Sequence, residues 1–314
     1  MWKRNCFLSK ALCLFLCLIL TGAGCANNTV ETDDSITFTD ALGREVSIPK
    51  EPERVAALIG SFAEVWQLSG GSLCASSEDA WDDFALTMGD AVNIGGPHSP
   101  DFELLIASDP DFVIASASTA SNVDMLSTLE SLGISVAYFD VDCFEDYLHM
   151  LDICTDITGR KDLYRENGTD VKDKIDALKA GFTLPEEEKK VLLLRASSGS
   201  VKAKGSEGTI LGEMLRDLGC VNIADSDGAL LERLSIESIM VNEPYRIFVV
   251  TMGDDTEKAL DNLKGLIEDD PAWASLSAVK EGRLHIMDRK LFNIKPNANW
   301  AVSYEKLTEI LQSK

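Results

Sequence analysis

After its first 35 residues, the chain alternates short runs of Val, Ile, Leu and Phe with longer stretches whose apolar residues recur every three or four positions. Short apolar runs bounded by turn residues read as buried strands, and the longer stretches as amphipathic helices, so the pattern predicts βα units around parallel sheets. In the first half, strands are expected at 55–58, 73–75, 92–94, 112–115 and 136–139, with helices at 62–68, 102–107, 122–132 and 144–157. A second series of the same kind has strands at 191–194, 247–250 and 284–287 and helices at 209–218, 236–241, 256–267 and 298–311.

Between the two series the chain turns polar. Leu163, Val171, Ile175 and Leu178 are spaced for a helix that buries one narrow face, and Asn167-Gly168 weakens its middle without forbidding it. Pro185 and the charged run 186–190 close this link. A chain of this length exceeds what one core usually serves. The expected class is therefore α/β: an N-terminal lobe at 36–159, a connecting helix at 160–181 and a C-terminal lobe at 182–314, each lobe Rossmann-like with a central parallel sheet. An internal echo supports two lobes of similar topology. Glu103 lies seven residues before Pro110 and the run Phe112-Val113-Ile114, and Glu237 lies seven before Pro244 and the run Ile247-Phe248-Val249.

The first 25 residues form a different kind of segment. Lys3, Arg4 and Lys10 precede an apolar run at 11–20, which is too short to span a bilayer comfortably, and Thr21-Gly22-Ala23-Gly24-Cys25 follows. This reads as a removable signal, 1–24, and it resembles a lipoprotein signal, in which the cysteine is diacylated before cleavage. Two acyl chains give the stable membrane attachment that one does not. Cys25 would then be the lipidated N-terminus, although Gly22 stands where such signals usually carry leucine. An ordinary signal peptide cut nearby is the alternative. Residues 25–35, polar and acidic, read as an unstructured tether.

Charge narrows the partners. The chain carries 29 basic and 52 acidic residues; removing residues 1–24 takes three bases and no acid, leaving a net of −26. Such a body does not seek nucleic acid or an anionic bilayer through its overall field. Of eight cysteines, Cys74, Cys143, Cys154 and Cys220 remain beyond Cys25. Cys143 and Cys154 flank one helix whose rise of about 16 Å exceeds the roughly 7 Å that a disulfide tolerates, so they are not expected to pair. Three scattered histidines and the absence of any Cys-x-x-Cys spacing argue against a site for free zinc or manganese.

The segment Thr39-Asp40-Ala41-Leu42-Gly43-Arg44-Glu45-Val46-Ser47-Ile48-Pro49, followed by Pro52-Glu53-Arg54-Val55, resembles the opening of substrate-binding proteins that serve ABC importers for ferric siderophores, haem and cobalamin. With 103–111, 212–222 and 237–244, the resemblance runs over nearly the whole chain after the leader. It implies a ligand held between two lobes joined by one rigid helix, and a permease, with its cytoplasmic ATPase, docking across both lobes. It also implies that Glu103 and Glu237 are the acidic residues, one per lobe, that meet arginines on the permease. Each glutamate also lies in a helix's first turn, where it complements the helix dipole.

In open α/β sheets, ligands meet the loops at strand carboxyl ends. The candidates in the first lobe are Ser61, Phe62, Trp81, His98, Ser116, Ser118 and Thr119; in the second lobe they are Arg195, Lys202, Lys204, Met252, Asn293, Lys295 and Trp300. Trp81 and Trp300 are placed to stack on an aromatic or macrocyclic ligand or to fill a core. Arg195 follows four apolar strand residues, where a guanidinium binds a catecholate, carboxylate or phosphate oxygen, or else pairs with one of the many acids. His98 sits in a turn-rich loop, within reach of a haem iron or a cobalt.

The expected function is capture of a ferric siderophore outside the cell by a membrane-anchored, monomeric binding protein. It has no catalytic residues and no cofactor of its own, and haem or a corrinoid is the alternative cargo. Gly60-Ser61 superficially resembles a hydrolase elbow, but Gly-x-Ser-x-Gly is missing and no histidine is placed as a base.

Overall fold

The computed structural model describes residues 34–253 and 255–313; the signal segment, Cys25 and nearly all of the expected tether lie outside the described residues. The last tether position does not behave as a tether. Ser35 opens the strand Ser35–Thr39, which pairs antiparallel with Glu45–Pro49 in a hairpin absent from the expected strands. Its turn is organised by the buried Asp40, whose carboxylate accepts from the Leu42 and Arg44 amides and from the Arg44 guanidinium. Arg44 in turn lies 5.2 Å over the Tyr138 ring, which fastens the hairpin to the first sheet.

The first sheet has five parallel strands in the spatial order Val92–Asn93, Ala75–Ser76, Val55–Ala57, Phe112–Ser116, Ser135–Phe139. Val55–Ala57 and Phe112–Ser116 are buried along their whole length, which is why these strands read as continuous apolar runs rather than alternating ones. The helix Phe144–Ile157 has the expected bounds, whereas the stretch expected as one helix at 122–132 is two, Ala120–Asp124 and Leu126–Ser131.

The second sheet is mixed. Lys190–Ala196 is flanked on one side by Arg246–Thr251, parallel, with Leu284–Ile286 beyond it; on the other side it pairs antiparallel with Val201–Lys204 and, near its start, parallel with Val221–Asn222. Val201–Lys204 was not among the expected strands. It turns a reading of Lys202 and Lys204 as loop residues into one of edge-strand residues with a defined facing.

The two lobes share more than a linker. Between them runs Lys161–Tyr164, a π-turn at Arg165–Thr169 and the helix Asp170–Gly181. The π-turn holds Asn167-Gly168, so the apparent weak point is where the helix presses closest to its neighbour: a Cβ on Gly168 would lie 3.1 Å from Leu148 and 3.3 Å from Leu151. Asn167 donates to the Leu68 carbonyl (3.0 Å) and accepts at its own carbonyl from Tyr147 Oη (2.9 Å), both in the first lobe. At the other end Lys179 pairs with Asp217 of the second lobe. One hydrophobic cluster then continues across both lobes along this helix, from Phe62 and Phe112 through Phe144, Val171 and Ile175 to Leu193, Trp300 and Leu311.

All four cysteines of the described body are free thiols. Among the described residues no helix is long and apolar enough to cross a membrane.

Candidate functional site

Period-two alternation along Lys190–Ala196 sends Leu192, Leu194 and Ala196 into the outer core of the second lobe and Val191 and Leu193 into the core shared with the first. Arg195 has the same parity as Val191 and Leu193, but it lies at the carboxyl end, where that face leaves the core. The antiparallel register then places Lys202 directly opposite Arg195 and Lys204 opposite Leu193. Residues directly opposite in an antiparallel pair share a face. Three cations therefore project from one face of the sheet, in a chain of net charge −23.

Among the described residues none of the three has a counter-ion within ion-pairing distance. The Arg195 Nε is buried without a partner, and its Nη1 reaches only the sulfur of Met252, at 3.9 Å. Burial holds the Lys204 ammonium below its ordinary range, and repulsion from Arg195 and Lys202 lowers it further. Like charges set opposite one another weaken a sheet pairing, so this arrangement costs stability unless an anion occupies the face.

Beside this edge of the sheet lies a cavity of about 670 Å³ walled by second-lobe residues: Arg195, Ala203, Lys204, the loop that leads into the helix Ile210–Asp217, Arg216, Asp225 and Leu231. Three side chains shape that loop. The Asp225 carboxylate accepts from the Ser206 amide (2.7 Å), Asn222 Nδ2 donates to the Lys204 carbonyl (2.7 Å), and Thr209 Oγ1 donates to the Gly205 carbonyl (2.9 Å). Gly212 lets the loop lie against the helix, since a Cβ there would be 2.6 Å from the Ser206 backbone.

The first lobe answers with Asp142, just past the strand Ser135–Phe139. Its Oδ2 is 3.9 Å from where a Cβ on Gly208 would sit, so the two lobes approach closely here. Burial raises the Asp142 carboxyl above its ordinary range and Asp140 raises it further, against the pull of Lys295 and Arg195. Burial likewise lowers the Lys295 ammonium, against the opposing pull of Asp142 and Asp140. Asp142 thus feels the charges of both Lys295 and Arg195, and among the described residues it forms no direct ion pair with either.

Of the expected ligand residues, Arg195, Lys202, Lys204, Met252 and Lys295 converge on this region. Asn293 braces it indirectly, donating to the Thr251 carbonyl at 2.9 Å. On the first lobe Ser116 is buried with its hydroxyl 3.1 Å from that of Ser118, which is exposed; Thr119 and Trp81 are half-buried, and His98 is exposed on a tight turn. Three expectations are corrected. Phe62 is buried edge-on to Phe139, and Trp300 is fully buried against Phe144 and Tyr304, so neither ring offers a face to a ligand. Ser61, expected among the ligand residues, is also buried, and Asn297 Nδ2 donates to its carbonyl. Asp142 was missed, although it lies three residues past the strand Ser135–Phe139, much as Ser118 lies two past Phe112–Ser116, and the rule that selected that serine applies to it equally.

Glu103 and Glu237 are exposed at the second positions of the helices Phe102–Ala107 and Ile236–Asn242. Asp101 and Ser235 cap these helices by accepting from Leu104 and Ser238. The Glu237 carboxylate is held below its usual range by a backbone N–H and then by the Ser235 hydroxyl. The echo between these segments extends to backbone geometry. Asp109 and Glu243, each immediately before the echoed proline, are both left-handed, with φ of 50° and 46°.

Residues 55–291 match the family described as periplasmic binding protein. The Fe(3+)-citrate-binding protein YfmC of Bacillus subtilis is 24% identical over 291 residues, 88% of this chain and 87% of that protein. An uncharacterized ABC transporter substrate-binding lipoprotein, YvrC, from the same organism is 24% identical over 284 residues, covering 86% of each. Among solved structures, the petrobactin-binding protein YclQ of Bacillus subtilis superposes with a TM-score of 0.69 at 18% identity, over 89% of this chain and 99% of that one.

Proposed function

Because the chain belongs to the periplasmic binding protein family, we propose that it is the substrate-binding lipoprotein of an ABC importer, taking an anionic iron chelate at the crevice between its lobes and presenting it to the permease. The observation that carries this reading is the set of Arg195, Lys202 and Lys204 on one sheet face, with no ion pair to any of them among the described residues and with Arg195 and Lys202 directly opposed. Charge-assisted hydrogen bonds from such donors to an anionic chelate supply what the apo sheet lacks. Relatives named for Fe(3+)-citrate and for an ABC lipoprotein support the cargo class and the anchor.

In this reading Cys25 carries the lipid, residues 36–159 and 182–314 are the two lobes, and Glu103 and Glu237 meet basic residues of the permease. A continuous core and a helix packed on both lobes favour small closure movements over a wide swing, because bending the helix breaks backbone hydrogen bonds. The protein binds and releases its cargo unaltered, as a monomer. The test is a tryptophan-quenching screen of the purified body with ferric siderophores, ferric citrate, haemin and cobalamin. Saturable quenching by an anionic ferric chelate is expected, and no saturation with any of them overturns the reading.

A further inference from the structure

The chemistry of the cavity wall says more than its charge. Resting on the reading of the crevice as a chelate site, we infer that its cargo is a compact iron complex of an aliphatic hydroxycarboxylate, and that the site discriminates against aromatic catecholates and tetrapyrroles.

None of the described residues that wall the cavity, all of them from the second lobe, is aromatic, and the apolar ones reduce to Ala203 and Leu231. Phe62 and Trp300 are buried, and Trp81, half-buried against the shared core, is not among the residues that wall the cavity. Planar aromatic ligands draw most of their affinity from apolar and aromatic walls, which are missing here. The wall also lacks His, Tyr and Cys, so it presents none of these as an axial ligand to a haem iron, and the nearby sulfur of Met252 lies against the Arg195 guanidinium.

What the wall does offer suits carboxylates. Arg195 and Lys204 line it, with Lys202 on the same sheet face, and a guanidinium binds a carboxylate in bidentate fashion. The wall also carries two exposed acids, Asp225 and Glu207, whose charges solvent screens more than that of the half-buried Arg195. Asp225 is engaged by the Ser206 amide. Arg216 is already paired with Glu213, so it adds no free charge. A cavity of about 670 Å³ sits in the middle of the roughly 300–1,000 Å³ range of small-molecule sites. That volume fits a metal ion together with its organic ligands.

The experiment titrates the purified body with ferric citrate, a ferric complex of 2,3-dihydroxybenzoate, haemin and iron-free citrate, following tryptophan fluorescence and calorimetric heat. Ferric citrate is expected to bind at least about tenfold more tightly than the catecholate or haemin, and Lys204→Met to weaken ferric citrate by about tenfold while the thermal midpoint of the unliganded protein does not fall. If the catecholate or haemin binds as tightly as ferric citrate, the inference fails and the chelate reading stands. If ferric citrate binds equally well to wild type and Lys204→Met, the inferred location is wrong. If no iron complex binds, the underlying reading fails as well.

Discussion

Asn297 Nδ2 donates to Glu64 Oε2 at 2.5 Å and to the Ser61 carbonyl at 2.9 Å, so an amide from the second lobe's final loop is fixed onto the first helix of the first lobe. Asn297 holds φ at 51°, a left-handed conformation that asparagine tolerates better than most residues. Asn297→Ala removes both bonds, leaves a buried carboxylate without this partner and strains the backbone. It is expected to lower stability by about 1–3 kcal/mol in a urea titration. Asn297→Gly, free of the backbone strain, should be less damaging than the alanine variant.

The Glu64 carboxyl is raised by burial, with Asn297 and Lys290 opposing that rise. A carboxyl whose folded value lies above its unfolded one binds more protons in the native state, so stability falls as pH rises from the unfolded value through the folded one. Glu64→Gln keeps an acceptor for Asn297 and removes the charge. It should match wild type in acid, below the ordinary carboxylate range, and be more stable at neutral pH, as read from thermal melts across pH 4–8. A variant less stable than wild type at neutral pH would show that the ionised carboxylate is needed.

Gly212→Ala places a methyl group 2.6 Å from the Ser206 backbone, which cannot give way as a flexible side chain does. The expected result is a loss of about 1–3 kcal/mol together with weaker chelate binding, because the displaced segment is the cavity wall. Calorimetry on the same sample reads both effects.

Asp142 is the first-lobe carboxylate that shares the field of Arg195 and Lys295 with an incoming anion. Asp142→Asn should raise affinity for an anionic chelate several-fold and steepen its salt dependence, whereas the loss of a cation would flatten it. A fall in affinity would mean that Asp142 contacts the cargo instead of competing with it.

Glu103→Ala combined with Glu237→Ala should impair uptake in cells while leaving chelate affinity unchanged. The cost in stability should be small, because only the solvent-screened dipole interaction of two exposed carboxylates is lost. A drop in chelate affinity of the purified double variant would place these residues at the ligand and not at the permease.

The two-lobe plan was legible because buried parallel strands and amphipathic helices leave different periods, and helices such as Phe144–Ile157 and Phe102–Ala107 emerge with the bounds that the periods suggest. The echo around Glu103 and Glu237 proved to be geometric, since it includes two left-handed residues before proline. Legibility stopped where facing depends on register. Lys202 and Lys204 were found by charge and position, but their shared face with Arg195 exists only through an edge strand whose polar, alternating residues lack an apolar run. Trp300 and Phe62 stood near strand ends as a ligand platform would, yet the lobes meet through a common core there, and large rings fill it.

The central claim is that the unpaired cations of the second lobe bind negative charge on the cargo. It is tested most directly by titrating wild type and Arg195→Ala with ferric citrate and with a neutral ferric trihydroxamate. The account predicts a loss of about tenfold or more for the anionic complex, equivalent to at least about 1.4 kcal/mol, and little change for any binding of the neutral one. Equal affinities of the two proteins for ferric citrate would contradict it.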